Sequence, residues 1–212
     1  MADNNTANVS TGKGVKGGYF FRAPANDTNL NIIKNGGLKT FSSKVETIIA
    51  TAENLGYISS DGWTISDDRE IETYTDVNGD VINTGVNSRT ETVKATLVEK
   101  KKATLATMWG DDNVTDAGGV IEALHTNDDP QEYIYIADLV LKNKRRWRYV
   151  VPLGQVTEVG DESIASGSLI GREITITGNS FNYAEGKTVT SIDWLESTET
   201  SESAESAEST EG

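Results

Sequence analysis

The feature that most constrains this chain is a short reversal, Asp76-Val77-Asn78-Gly79-Asp80, set between two long β-prone runs. Asn-Gly supplies the positive-φ residues that a tight hairpin connection needs. The limbs on either side, Ile65 to Thr75 and Val81 to Glu99, are predicted to pair as a long β-hairpin. Near its end the return limb alternates, with Val93, Ala95 and Leu97 pointing one way and Thr92, Lys94 and Thr96 the other, so one face is buried and one is wet. A chain committed to such a hairpin must be built largely from sheet. After Glu99 the period changes. Lys100 to Trp109 places Ala103, Leu105, Ala106 and Trp109 at helical spacing, and Gly110 with Asp111-Asp112-Asn113 ends the pattern. Ahead of the hairpin, the Ser/Asp/Gly-rich stretch between Tyr57 and Trp63 is predicted to turn.

The remaining strands are read from alternation and punctuation. Tyr19 to Ala23 is a short aromatic strand closed by Pro24, which cannot donate to a ladder. A loop follows at Asn26-Asp27-Thr28, and Leu38 to Leu55 is predicted to be strand or irregular because Thr47, Ile48, Ile49 and Thr51 are β-branched. Val114 to Asp129 is predicted as a loop with a single turn around Val120 to Leu124. Glu132 to Leu141 is the strongest strand, apolar on both faces. Lys142-Asn143-Lys144 turns it into a return strand over Arg145 to Val156, followed by a turn at Glu158-Val159-Gly160-Asp161. Leu169 to Thr177 and Thr188 to Leu195 complete the strands, with a turn region over Asn179 to Lys187. Seven or eight strands and one short α-helix define an all-β fold, a β-sandwich or partly closed barrel.

Three segments follow: a flexible N-terminal arm (1–18), a single β-rich domain (19–195) and an acidic tail (196–212). In the tail Glu196, Glu199, Glu202, Glu205, Glu208 and Glu211 recur every third residue with only Ala204 and Ala207 weakly apolar, a composition that favours a disordered, solvated chain. Hydrophobic residues make up 36% of the chain, enough for a thin core that assembly would supplement. The absence of cysteine removes disulfides, thiolate metal sites and Cys nucleophiles together. MADNNTANVSTGKG shows neither the apolar core of a signal peptide nor an Arg-rich amphipathic pattern, no run has the length of a membrane span, and a cytoplasmic site of synthesis is expected.

No constellation reads as catalytic or as a metal or cofactor site. Asp76, Asn78 and Asp80 match the first, third and fifth positions of a calcium loop, but Val81 stands where that loop needs Gly and Asn87 where it needs a bidentate Glu. Asp67, Asp68, Glu70 and Glu72 lack an apolar enclosure to separate their pKa values, as acid/base work requires. His125, beside Asp128 and Asp129, is the only imidazole. No G-x-S-x-G turn and no P-loop occurs. The basic cluster Lys142, Lys144, Arg145, Arg146 and Arg148, interleaved with Trp147 and Tyr149, has the composition of a nucleic-acid patch. Against that, the chain carries a formal net charge of -14, and the better expectation is contact with acidic surface on a neighbouring copy.

Several blocks in order resemble the major tail tube protein of long-tailed phages of Gram-positive bacteria. They are KGGYFFRAPANDT (16–28), LGYIS-DG (from Leu55), a Thr-rich strand ending in TLVE, GDDNVT (110–115), VVPLGQVTEVGD (150–161) and GREITITG (171–178). The resemblance spans roughly Lys16 to Trp194. It implies a structural virion protein that forms rings, typically hexameric, stacked into a hollow tube whose inner wall is a shared β-barrel. Under it, the Ile65–Glu99 and Glu132–Val156 hairpins are candidates for the wall. Asp76, Asn78, Gly79, Asp80 and Asn83 would form an inter-ring loop with Met1 to Gly18 as a second inter-ring arm, and Lys100 to Trp109 would cover the outside. Asp67, Asp68, Glu70 and Glu72 would line an acidic lumen through which DNA passes without specific binding. Implied partners are further copies of the chain and the tail tip, tape measure and tail terminator proteins, with assembly in the host cytoplasm. The chain departs from the family in its Glu-triplet tail and in a first limb whose alternation is interrupted by Asp67, Asp68 and Arg69. The alternative readings are a secreted or surface β-sandwich binding module, which would be monomeric, and the tube of a contractile injection system, which would need a sheath.

Overall fold

A computed structural model describes residues 11–142, 144–162, 164–184 and 186–197. The first ten residues of the expected arm and the Glu-repeat beyond Ser197 lie outside the described residues. In chain order the elements begin with β1 (Gly12–Gly14), β2 (Phe20–Pro24), α1 (Asp27–Lys34), α2 (Val45–Ile48), β3 (Glu53–Asn54), β4 (Ile58–Thr75) and β5 (Val81–Leu97). They continue with α3 (Lys102–Trp109), β6 (Val114–Ala117), β7 (Val120–Ala123), β8 (Glu132–Leu141) and β9 (Arg146–Glu162). β10 (Arg172–Gly178), β11 (Phe181–Ala184), β12 (Lys187–Val189) and β13 (Ile192–Leu195) close the list. Strands account for 53% of the described residues and helices for 14%, so the fold is all-β; among those residues the antiparallel sheet does not close into a barrel. The chain divides into two compact units, one of 1–56, 132–153 and 180–212, the other of 57–131 and 154–179.

The first unit carries the strand order β3-β2-β8-β9, with β1 on β8 and β13 on β9. Phe21 and Ala23 of β2, Ile134 and Ile136 of β8 and Val150 of β9 present one face, which Ile33, Leu38, Val45, Ile49, Phe181 and Trp194 cover. Each such large apolar side chain contributes roughly 1.5–3 kcal/mol by leaving water. α1 corrects the loop expected at Asn26-Asp27-Thr28. The Asn26 side chain accepts from the Asn29 amide, Asp27 sits in the first turn and Lys34 in the last, a complete set of terminal signals. Over Leu38 to Leu55, expected as strand or irregular, the chain is irregular apart from a 3-10 turn over Gly37–Lys39, the short helix α2 and β3. α2 is helical where β-branched residues suggested otherwise, because Val45 and Ile49, four apart, both reach the core. Gly12–Gly14, read as part of the arm, pairs with β8. The turn region expected over Asn179 to Lys187 contains strand β11, and the single strand expected over Thr188 to Leu195 is divided at Thr190 and Ser191 into the end of β12 and β13.

The second unit carries β4 and β5 with β10 and the Gly154–Glu162 half of β9. The predicted alternation holds: Val93, Ala95 and Leu97 are buried while Thr92, Lys94 and Thr96 are half-buried. Ile174, Ile176 and Val156 join the core from β10 and β9. The turn expected at Glu158 to Asp161 is strand, since its polar residues pair across to β10: Thr175 donates to Glu158 at 3.1 Å, and Gly160 allows close approach to Glu173. The turn expected between Tyr57 and Trp63 is a bulge inside β4, with Ser59 to Gly62 skipped between the Ile58–Leu97 and Trp63–Ala95 pairs. α3 forms where predicted, and Gly110 at φ 91° ends it. The loop expected from Val114 is instead a hairpin of β6 and β7, closed by Gly118 and Gly119, both at positive φ.

Candidate functional site

β10 pairs with β5 only as far as Thr92, and beyond that point β4 and β5 continue as a two-stranded hairpin. From residue 67 to 90 every residue is exposed except Asp76 and Gly85, which are half-buried. A two-stranded ribbon in water is marginally stable by itself. At the tip Asp76 Oδ1 accepts from the amides of Asn78 and Asp80, at 2.8 and 2.9 Å, and the Asp76 amide donates to the Asp80 carbonyl. Those amides hold the Asp76 carboxyl below its usual range, Asp80 foremost. The predicted reversal is present, but Gly79 alone adopts positive φ, 88°.

Register separates the hairpin into two unlike faces. Asp67 opposes Glu91, Arg69 opposes Arg89, Ile71 opposes Val86 and Thr73 opposes Thr84, continuing the face on which Ile65 opposes Val93. Here Arg69 and Arg89 would repel, and Asp67 bridges them, accepting from Arg69 at 2.6 Å and from Arg89 at 2.8 Å. The two guanidiniums, Arg69 foremost, hold the Asp67 carboxyl far below the ordinary carboxylate range. Arg89 reaches Glu91 as well, at 3.3 Å. Ile71, Val81 and Val86 are exposed on this limb.

The opposite face pairs Asp68 with Thr90, Glu70 with Ser88, Glu72 with Gly85 and Tyr74 with Asn83. A bulge brings Asn87 to the same side, and Glu70 accepts from both Asn87 and Ser88, at 3.3 and 3.1 Å. Glu72 accepts from the Tyr74 hydroxyl at 2.7 Å, which raises the Tyr74 pKa. Over its paired positions from Asp68 to Tyr74 this face holds carboxylates, hydroxyls and amides with no cation. The four carboxylates grouped by sequence therefore do not act together: Asp68, Glu70 and Glu72 share a face, while Asp67 belongs to the ion network behind it. Arg89 and Glu91 were not singled out by sequence, and Arg69 only as an interruption of the first limb's alternation, because only register places them around Asp67.

The basic cluster is largely spent inside the first unit. Arg148 is fully buried and donates to the carbonyls of Leu38, Thr40 and Ser43, with Asp138 at 3.3 Å. Arg146 reaches Asp138 at 2.6 Å, and Arg145 donates to the Glu196 carbonyl. Glu196, read as the start of a solvated tail, also accepts from the Arg146 amide at 3.0 Å. Arg148 thus cannot contact a neighbouring copy, and Lys142 and Lys144 are the exposed members. His125 stacks on Trp109 with ring centres 3.9 Å apart, and the Asp128 carboxylate accepts from Thr126 and Asn113 instead. Thr126 and then Asn113 hold that carboxyl below its usual pKa. Among the described residues no group of three His, Cys, Asp or Glu is placed to hold a metal, and no helix is long and apolar enough to cross a membrane.

Charge is divided unevenly between the units. Residues 11–56, 132–153 and 180–197 contain twelve Lys and Arg against eight Asp and Glu; residues 57–131 and 154–179 contain seven against nineteen. No family model and no curated protein matches the chain.

Proposed function

We propose that this chain is a structural subunit that associates with copies of itself, as stacked rings, into a hollow tube that conducts DNA, in the manner of the phage tail tube proteins it resembles. The carrying observation is the projecting hairpin: a ribbon with both faces and the outer edge of β4 exposed, one face carrying carboxylates, hydroxyls and amides, the other carrying Ile71, Val81 and Val86. Unpaired strand edges seek further strands, and a marginal ribbon gains stability when neighbouring copies extend it. In a ring so formed, the Asp68, Glu70 and Glu72 face lines the lumen and the Ile71, Val81 and Val86 face turns toward protein. Carboxylates at the wall repel phosphate at short range, beyond which salt screens them over about 8 Å. A duplex then passes without adhering.

The test is negative-stain electron microscopy of the purified chain beside light scattering at rising concentration. Hollow tubes or rings of uniform width are expected; a strictly monomeric species, even with tail-tip components added, would remove the reading. Lumen polarity is tested on assembled tubes with a short fluorescent duplex. Wild-type tubes should leave its anisotropy unchanged, whereas tubes carrying Glu70→Lys and Glu72→Lys should bind it with a steep salt dependence. Binding by wild-type tubes would sink the assignment of this face.

A further inference from the structure

We infer that the hairpin tip of one copy is received by a pocket in the first unit of another copy, a contact that rests on the assembly reading above. The pocket, of about 230 Å³, has Phe21, Phe41 and Val45 in its apolar lining, Lys16, Lys44 and Arg146 as its cations, and Glu46 and Asp138 as its carboxylates. Among the described residues Lys16 and Lys44 make no ion pair. Asp138, which also lines the pocket, directs Oδ2 to Arg146 and Arg148 and keeps Oδ1 buried with no hydrogen-bond partner among the described residues, a spare acceptor for an incoming donor.

The tip has the complementary chemistry. Residues 70–88 carry Glu70, Glu72, Asp76 and Asp80 and not one Lys or Arg. At the apex Val77 is fully exposed, an aliphatic side chain between two aspartates with nothing of its own unit to cover it. Val77 on the aromatic floor, with Asp76 and Asp80 toward Lys16 and Lys44, pairs apolar with apolar and each carboxylate with an available ammonium. A second pocket, of about 200 Å³ beside Trp109, has an apolar lining too, but its cations are committed. Lys100 lies 2.5 Å and Arg172 3.8 Å from Glu162. The unequal charge of the two units acts in the same sense, since the acidic unit of one copy is drawn to the basic unit of the next. Because donor and receiver are different surfaces, the contact is heterologous and propagates from copy to copy.

The chain has no cysteine, so engineered pairs report cleanly. Full-length protein with Val77→Cys and Ser42→Cys, the latter at the pocket rim, is oxidised under assembling conditions and run on a non-reducing denaturing gel. A ladder of disulfide-linked multimers is expected, against nothing beyond dimers from either single variant. Intact assembly without a ladder, or a bond closed within one chain, would overturn the pocket assignment and leave the tube reading standing; failure of the unmodified chain to assemble at all would overturn both. In a second test, Lys16→Glu with Lys44→Glu should raise the concentration needed for assembly about tenfold, and Asp76→Lys with Asp80→Lys in the same chain should restore it. An unchanged threshold in the first variant would reject the contact. So would protection of Lys16 and Lys44 from amine labelling that depends on residues 198–212 rather than on assembly, because the pocket would then belong to the chain's own acidic end.

Discussion

A guanidinium with no exposed surface, as at Arg148, needs fixed acceptors around it, and three carbonyls and Asp138 supply them to its two terminal nitrogens, while Nε has no partner among the described residues. Arg148→Ala removes all of these and leaves Asp138 with Arg146 alone; a loss of about 3 to 5 kcal/mol is expected from urea denaturation followed by tryptophan fluorescence. Asp67 is the opposite case, an ion network on an exposed ribbon. Its native pKa is depressed by Arg69 and Arg89, so its contribution is present above the unfolded carboxyl value, about pH 4, and is lost as pH falls through the depressed native value. Amide exchange over residues 67–91 should stay protected at pH 4 and accelerate on further acidification, a dependence that Asp67→Asn should abolish. Both roles were invisible in the sequence, where Arg148 read as one of five neighbouring cations and Asp67 as one of four carboxylates. Nothing local says which cation enters a core, or which carboxylate faces two arginines across a strand pair.

Among the elements, those with strong periods were legible and those defined by their neighbours were not. β8, α3 and the β4–β5 hairpin follow from alternation, helical spacing and an Asn-Gly turn. α1 was marked by Asn26, Asp27 and Lys34 and passed over because its apolar residues are few; β6 and β7 were marked by Gly118-Gly119 between two short runs. The β9 continuation through Gly160 reads as turn by composition and becomes strand only because β10 lies alongside. The hairpin beyond Thr92 touches little of its own unit, which gives an element-scale prediction. Replacing residues 70–88 with Asn-Gly should leave the melting temperature within about 3 °C of the parent, since surface changes rarely exceed 0.5 kcal/mol. Assembly, followed by light scattering, should be lost. A large drop in melting temperature would mean that the ribbon is needed for folding rather than for association.

For the whole molecule, the division of charge between the units would make the proposed association electrostatic in large part. Exposed charges are screened beyond about 10 Å at 0.1 M salt and about 3 Å at 1 M. The concentration at which scattering rises should therefore increase by about tenfold between 0.05 and 0.5 M NaCl. Insensitivity to salt would place the driving force in the apolar face around Ile71 and Val86 instead.

The sequence by itself determined the class of fold, the hairpin and its tip, the helix after it and the lack of thiol chemistry, because these depend on residues within a turn or two of one another. Only the tertiary structure decided which face each hairpin residue occupies, which arginine is buried, and how charge divides between units assembled from distant segments. Those are matters of register and packing: a one-residue slip moves every side chain of a strand to the other face, and nothing local in the sequence records it.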